Sequence, residues 1–282
     1  LNRRMNETLE AMARAIFKSW FVEFDPVIDN ALRAGNPIPD KLADRAAARQ
    51  EALDAGNPIV PDDTARLFPD SFQESDLGPI PATWKVNGLY SLIDIIGGGT
   101  PKTSVDEYWG GSIPWFSLVD APEPTDVFAI DTERRITESG VENSSTKILP
   151  AGTTIISARG TVGKCAVVGR PMAMNQSCYG VRGAQEIGDY FVYFTLRHKV
   201  ADLQRKSHGS VFNTITRNTF KSIRVPTPFP EVMETFENVV SVYMDNVLAN
   251  LKQSDTLRRV RDAFLPELLS GRLNAPNTGG AQ

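Results

Sequence analysis

Two stretches of the chain repeat apolar residues with the spacing of an amphipathic helix. In residues 1–26 the apolar positions recur every three or four residues, which places them on one helical face. A second stripe continues from about Glu231 to Leu265, which corresponds to about 50 Å of helix. Asn250 and Ser254 interrupt its apolar seam, as do the polar residues that fix the register of paired helices. Because so long a helix needs a partner for its apolar face, the pattern predicts that the two helices pair antiparallel.

The region between these helices has the pattern of a β-rich domain. Short apolar runs alternate there with Gly- and Pro-rich turns, which is typical of strands. A helix is predicted at about 189–204, followed by a polar loop at 206–218. The predicted strands lie at 89–96, 112–119, 153–157, 165–168, 178–183 and 222–226.

Residues 27–78 are predicted to form a structured, proline-rich linker. The motif AGNPI occurs at 34–38 and at 55–59, and its Asn-Pro pairs mark turns on either side of an Ala-rich helical stretch at about 40–54. The predicted fold class is therefore α+β, with one β-rich domain flanked by long antiparallel amphipathic helices. The predicted boundaries are a helix at 1–26, the linker at 27–78, the β-rich domain at 79–228, a long helix at 229–273 and a flexible tail at 274–282.

The composition is that of a folded chain. Its 282 residues are 41% hydrophobic, which is enough for a core. No run of about 18 apolar residues predicts a membrane helix, and the charged, amphipathic N-terminus does not have the pattern of a signal peptide. These features predict a cytoplasmic location without a membrane partner. The start at Leu1, inside a helical pattern, suggests that the chain is part of a longer polypeptide.

The distribution of charge is more informative than the formal net charge of −4. The first 77 residues carry 9 Lys/Arg against 14 Asp/Glu, whereas residues 155–224 carry 11 Lys/Arg against 3 Asp/Glu. A basic patch on an acidic frame is suited to attracting phosphate groups. The charge pattern therefore favours a nucleic-acid partner, although solvated basic faces are also common.

Motifs of known enzyme classes are incomplete in this sequence. Residues 158–165 approach the pattern of a phosphate-binding loop, but Cys165 replaces the Ser or Thr that would hold magnesium, and a strand follows instead of a helix. The glycine run at 97–99 lacks the spacing of a dinucleotide fingerprint. The sequence also contains no recognisable set of nucleophile, base and acid. These absences point to recognition rather than catalysis.

The few cysteines and histidines do not have the spacing of a zinc site. Cys165 and Cys178 are expected to be buried, reduced thiols, with a disulfide as the alternative. His198 and His208 are expected to face solvent. We therefore predict no metal or cofactor on this chain.

Four stretches resemble the specificity (S) subunit of type I restriction–modification systems. Residues 1–26 resemble the central conserved region of this family and residues 256–273 its distal conserved helix. Residues 77–117 and 148–180 resemble the opening and the middle of a target recognition domain. Family members generally carry two such domains, whereas this chain has one. The resemblance therefore implies the C-terminal portion of such a subunit or a half-sized form, which would pair as a homodimer through its helices.

The resemblance also implies a function. The chain is expected to be a non-catalytic subunit that reads one half of a bipartite site in double-stranded DNA and directs the methyltransferase (M) and restriction (R) subunits to it. S-adenosylmethionine, ATP and magnesium are then expected only on those partners. The alternative hypothesis is a non-enzymatic adaptor whose β-rich domain binds another protein.

Ten side chains are predicted to contact DNA. The candidates for phosphate contacts are cations in or beside polar loops, namely Lys102, Arg159, Lys164, Arg205 and Lys206. The candidates for reading base edges are Asn175, Gln176, Asn213, Thr214 and Arg217. For each of them the alternative is an ordinary role in turns and strand ends.

Two groups of apolar side chains are predicted to dock another subunit. The first group lies on the N-terminal helix and the second near the end of the long helix. These residues are Ile16, Phe17, Trp20 and Phe21, together with Phe264, Leu265, Leu268 and Leu269. Packing of the two helices inside the chain's own core is the alternative.

Overall fold

The computed structural model describes residues 1–122, 126–206 and 214–270, without the side chains of residues 201–206. These ranges contain eight α-helices and twelve β-strands. Among the helices described, none is long and apolar enough to cross a membrane. The fold class is α+β, as predicted.

The first and last helices form the predicted antiparallel pair. Helix α1 (Asn2–Phe21) lies along the first part of helix α8 (Pro230–Leu269). Asn250 Nδ2 donates to Asn6 Oδ1 at 2.9 Å, and Asn2 Nδ2 donates to Ser254 Oγ at 3.2 Å. The two polar interruptions of the α8 seam therefore set the register of the pair, because an unpaired amide in an apolar seam would lose its hydrogen bonds.

The N-terminal helix ends earlier than its sequence pattern predicts. Helix α1 stops at Phe21, and Phe24 adopts a left-handed φ of 58°. Helix α2 (Asp25–Ala34) starts there, with Pro26 in its first turn. Proline is suited to this position because its fixed φ is helical and the first turn needs no backbone donor. Pro26 thus begins a second helix rather than ending the first.

The predicted linker is mostly helical. Helices α3 (Ala43–Asp54) and α4 (Asp62–Ala65) follow α2. Arg49 Nε and Nη2 each donate to the Asp29 carboxylate at 2.7 Å, and Arg45 binds Asp25 in the same two-pronged way. Asp25 and Asp29 are buried, so these ion pairs hold α3 against α2.

The strands form one main sheet and three smaller ones. The main sheet has the order β4-β11-β8-β9-β6, in which only the β6–β9 pair is parallel. A three-stranded sheet has the order β10-β5-β7, and β1-β2 and β3-β12 are two-stranded ribbons. The strands are β1 (Phe72–Ser75), β2 (Gly78–Pro81), β3 (Lys85–Gly88), β4 (Ile93–Gly97), β5 (Trp109–Phe116), β6 (Phe128–Ala129), β7 (Arg135–Ile136), β8 (Thr154–Ser157), β9 (Cys165–Val168), β10 (Ala173–Met174), β11 (Cys178–Gly183) and β12 (Arg224–Thr227).

Three helices complete the β-rich region, namely α5 (Glu138–Glu142), α6 (Asp189–Lys206) and α7 (Arg217–Ser222). Helix α6 confirms the predicted helix and packs on β8, β9 and β11. The strands predicted at 165–168 and 178–183 coincide with β9 and β11. The prediction at 89–96 is wrong in its first half, because residues 89–91 form a short 3-10 turn.

An aromatic cluster joins α6 to the helix pair. The Phe17 ring lies 6.0 Å from that of Phe191, and the Phe21 ring lies 5.0 Å from Phe191 and 4.8 Å from Phe236. All four rings are at most 5% exposed. Aromatic side chains bury large apolar areas, so this cluster fixes the sheet on the two helices.

A carboxylate from α8 caps α6. Glu237 accepts hydrogen bonds from the backbone N–H groups of Phe191, at 2.8 Å, and Tyr190, at 3.2 Å. Burial raises the pKa of Glu237 to about 7, although these two hydrogen bonds oppose the shift; nearby Asp189 adds to it. The folded chain therefore binds a proton here more tightly than the unfolded chain does.

Replacing Asp29 by Ala should lower the free energy of unfolding by about 3–5 kcal/mol, because the Arg49 guanidinium would stay buried without its counter-charge. Urea unfolding measures this change. Asp63→Ala is the matched control, since its pair with Arg66 leaves the Asp63 side chain 95% exposed; it should cost less than about 0.5 kcal/mol. Equal losses in both variants would show that the Asp29 pair does not hold the linker.

Glu237→Gln should change how stability depends on pH. Because the pKa of Glu237 rises from 4.5 to about 7 on folding, the unsubstituted chain should lose stability relative to the variant as pH increases between these values. The difference should reach on the order of 3 kcal/mol and then stay level above pH 7. Urea unfolding of both proteins at several pH values measures it. Parallel curves across the whole range would contradict this role.

Candidate nucleic-acid interface

One edge of the main sheet collects four loops. The order and directions of the strands bring the end of β4, the β8–β9 turn and the start of β11 to the same edge. Ala158 N–H donates to Ser177 O at 2.8 Å, and Ile215 N–H donates to Ala158 O at 2.9 Å. The loops are 97–102, 158–164, 174–177 and 214–217, and we call them together the loop edge.

The glycine run in the first loop serves close packing. A Cβ on Gly98 would overlap the carbonyl oxygen of Asn175, and one on Gly99 would overlap the backbone of Ser145 and Thr146. Gly99 N–H donates to Met174 O at 3.0 Å. These glycines therefore let two loops touch through their backbones, which no other residue allows.

A buried serine holds the β8–β9 turn. Ser157 Oγ donates to Thr161 O at 2.5 Å and accepts from the Lys164 N–H at 2.9 Å. Ser157 is only 2% exposed. Gly160 and Gly163 have positive φ values of 76° and 88°, which the reversal of the chain requires. The turn is thus fixed at both ends while its cations face solvent. It has the strand–turn–strand form predicted for 158–165, in contrast to a phosphate-binding loop.

The cations of the basic region fall into two classes. Arg197 binds Glu10 of α1 at 2.6 Å, and Arg182 binds Asp189 at 2.6 Å, so both are used inside the fold. Arg159 and Lys164 are exposed and form no ion pair with any residue in the described ranges. The loop edge therefore keeps part of the basic excess free to meet an anionic partner.

Arg217 occupies a defined position beside these cations. It begins helix α7, whereas the sequence places it in a loop. Thr216 caps this helix, since its Oγ1 accepts from the Thr219 N–H at 3.4 Å. Lys221 lies one turn further along, with its Nζ 5.1 Å from the centre of the Tyr90 ring. Lys221 was not among the predicted DNA contacts, although its spacing of four residues from Arg217 places both side chains on one helical face.

Seven of the ten predicted DNA contacts lie on the loop edge, and six of them are exposed. The exposed ones are Lys102, Arg159, Lys164, Gln176, Thr214 and Arg217. Asn175 is also there but half-buried, and its Oδ1 accepts from the Ser177 N–H at 3.0 Å, which favours the turn role. Asn213 and the side chains of Arg205 and Lys206 lie outside the described residues, as does most of the loop 206–218.

The docking prediction requires a correction for the first helix. Phe17, Trp20 and Phe21 are 4–5% exposed and belong to the core, so the alternative explanation is right for them, and Ile16 is half-buried beside them. The second group is exposed: Phe264 is 52% exposed and Leu269 80%. The exposed members of this group are Phe264, Leu265, Leu268 and Leu269.

The two thiols and the described imidazole, that of His198, do not form a reactive site. Burial raises the pKa of both Cys165 and Cys178 to about 12, so both stay protonated at neutral pH. They are free cysteines. His198 lies 6.4 Å from the Phe17 ring and is half-buried, which corrects its predicted solvent-facing position. His208 lies outside the described residues. Among the described residues, no group of three or more His, Cys, Asp or Glu could hold a metal ion.

Comparison with known proteins identifies relatives of one kind. The family described as Type I restriction modification DNA specificity domain matches residues 81–241. The Type I restriction enzyme HindI specificity subunit of Haemophilus influenzae is 30% identical over 97% of this chain and 63% of its own length. The MjaIX specificity subunit of Methanocaldococcus jannaschii is 30% identical over 67% of this chain and 44% of its own length. The chain therefore spans less than two thirds of either relative.

A solved structure gives a further, weaker similarity. The HsdS subunit from Thermoanaerobacter tengcongensis superposes with a TM-score of 0.45 and 20% identity, over 83% of this chain and 56% of that one.

Ser157→Ala should loosen the β8–β9 turn, because the Lys164 N–H would lose its acceptor at a buried position, at a cost of about 1–3 kcal/mol. Hydrogen exchange at the Gly163 and Lys164 amides should accelerate at least fivefold. Ser91→Ala is the control, since the exposed Ser91 hydroxyl binds only Gly88 O, and it should leave both amides unchanged. Unaltered exchange in the Ser157 variant would contradict this role of the serine.

Proposed function

The chain belongs to the type I restriction–modification DNA specificity family, and on this premise we propose that its loop edge reads one half of a bipartite site in double-stranded DNA. The observation that carries the proposal is the grouping, on one preorganised edge, of exposed cations without an ion pair in the described ranges and of exposed amide or hydroxyl side chains. Such an edge offers both kinds of contact that sequence-specific binding requires, to phosphates and to bases.

The cations divide between two roles. Arg159 and Lys164 flank a rigid turn, and Lys102 lies on the neighbouring loop; these three contact phosphates and position the duplex. Arg217 reads a base, because α7 presents its guanidinium from a capped helix start and a guanidinium fits the two acceptors of guanine. Gln176 and Thr214 add shorter polar contacts beside it.

The helices supply the assembly role. The part of α8 beyond Ser254 extends past the contacts with α1 and carries exposed apolar side chains, among them Phe264 and Leu268. In the proposed complex this part docks the M subunit, which in turn recruits the R subunit. The helix pair acts as a spacer between two half-sites. A second recognition domain comes either from the rest of a longer polypeptide or from a second copy of this chain.

Catalysis is proposed to belong to the partner subunits. S-adenosylmethionine would bind the M subunit, and ATP and magnesium the R subunit. The chain's own groups are suited to recognition, because both thiols are protonated at neutral pH and the cations of the loop edge are exposed. The proposed location is the cytoplasm, where the DNA is.

The competing function is a protein–protein adaptor. The free cations of the loop edge favour DNA, because an adaptor surface typically places apolar residues at its centre. Salt separates the two functions, since counterion release makes DNA binding fall steeply with ionic strength.

Arg159→Gln and Lys164→Gln should each weaken duplex binding about equally on all sequences and reduce the slope of log K against log salt by about 1. Fluorescence anisotropy with labelled duplexes at several salt concentrations measures this. Arg66→Gln is the control, because Arg66 is an exposed cation of the linker. The salt dependence of this variant should have the same slope as that of the unsubstituted chain. A slope near zero for the unsubstituted chain would favour the adaptor.

Arg217→Ala should weaken binding to the preferred sequence by about 1–3 kcal/mol and relax the choice at one base pair. Selection from a randomised duplex library, followed by sequencing, measures the preference of each protein. Lys221→Ala tests the neighbouring cation and should leave the preference intact. If Arg217→Ala weakened binding equally on every sequence, Arg217 would be a phosphate contact instead.

A further inference from the structure

An exposed apolar side chain lies beside the loop edge. Strand β5 ends at Phe116, and residues Leu118–Asp120 form a 3-10 turn directly after it. Val119, in the middle of this turn, is 75% exposed. Single exposed apolar residues are common on protein surfaces. The surroundings of Val119 therefore determine whether its exposure indicates a binding role.

Hydrogen bonds hold the turn in one shape. Asp120 Oδ2 accepts from the Ser117 N–H at 2.8 Å and from Ser117 Oγ at 3.0 Å. The other oxygen, Oδ1, accepts from the Glu133 N–H at 2.6 Å. Both oxygens of Asp120 are therefore engaged, and the turn holds Val119 in solvent rather than folding it inward.

The turn lies beside the loop edge. Phe116 O accepts from the Asn175 N–H at 2.9 Å, which joins the end of β5 to the loop that carries Gln176. On its other side, a Cβ on Gly160 would lie 3.2 Å from Leu118 Cδ2, so the turn also contacts the loop that carries Arg159. The turn that carries the exposed Val119 thus lies between a candidate base-reading loop and a candidate phosphate-binding loop.

We propose that Val119 is a specificity-determining residue that contacts the 5-methyl group of a thymine in the major groove. This inference rests on the function proposed above. The predicted base-reading residues of the loop edge make hydrogen bonds, whereas the thymine methyl is the apolar feature by which the major groove distinguishes T·A from other pairs. Val119, an apolar side chain on a rigid turn beside these polar loops, supplies the apolar contact that the polar residues do not make. A docked protein would instead require a contiguous apolar patch.

The test compares thymine with uracil, which differ only by this methyl group. The preferred half-site is first obtained by selection from a randomised duplex library, and each thymine is then replaced singly by deoxyuridine. The unsubstituted chain should lose about fourfold in affinity at one position, the loss expected for one buried methyl group. Val119→Ala should bind the thymine duplex about as weakly as the uracil duplex, without a further loss on replacement.

Val242→Ala is the matched control. Val242 is 60% exposed on α8, away from the loop edge, and its variant should show the same uracil effect as the unsubstituted chain. A half-site without thymine, or a uracil effect that persists in Val119→Ala, would overturn the inference about Val119 and leave the proposed function standing. Equal weakening of Val119→Ala on all sequences would assign the residue to general contact and overturn it too. Selection without any sequence preference would refute the proposed function itself.

Discussion

The packing of α6 between the main sheet and the α1–α8 pair is the constraint on which the rest of the structure depends. The rings of Phe17, Phe21, Phe191 and Phe236 meet there in one buried cluster. Glu237 of α8 adds a polar tie by capping the start of α6. Because α6 rests on β8, β9 and β11, which also carry loops of the loop edge, the cluster fixes the orientation of that edge relative to the long helix. The proposed spacing of two half-sites requires this rigidity, since a flexible joint would let the distance between them vary.

The fold sorts its charges by function. Cations that pair with buried or half-buried carboxylates, such as Arg49, Arg197 and Arg182, tie elements together. The cations of the loop edge are exposed, and the acidic arms of the chain do not neutralise them within the described ranges. The overall acidic charge therefore does not describe the surface that is proposed to meet DNA. The acidic charge also limits non-specific attraction of anionic partners to the rest of the surface.

Local patterns in the sequence predict the elements well, but contacts between distant elements escape them. Strands β9 and β11 and helix α6 follow from apolar runs between clear turn residues. The break between α1 and α2 does not, because it depends on the left-handed conformation of Phe24, a residue that rarely adopts it. Burial of Phe17 and Phe21 likewise depends on a partner, Phe236, more than 200 positions away. The cations and amides of the site could be chosen by residue type, whereas their grouping depends on the strand order β4-β11-β8-β9, which no local pattern encodes. The sequence did not predict a role for Val119. Only the exposure of this side chain and the position of its turn in the fold distinguish it from a residue at an ordinary strand end.

Hydrogen–deuterium exchange of the chain with and without its selected duplex tests the central claim most directly, namely that one edge of the sheet meets DNA. The account predicts that protection concentrates in the loops 97–102, 158–164 and 174–177 and in the segment 214–222, with the α1–α8 pair unchanged. Protection centred on the helix pair, with these loops unaffected, would contradict it.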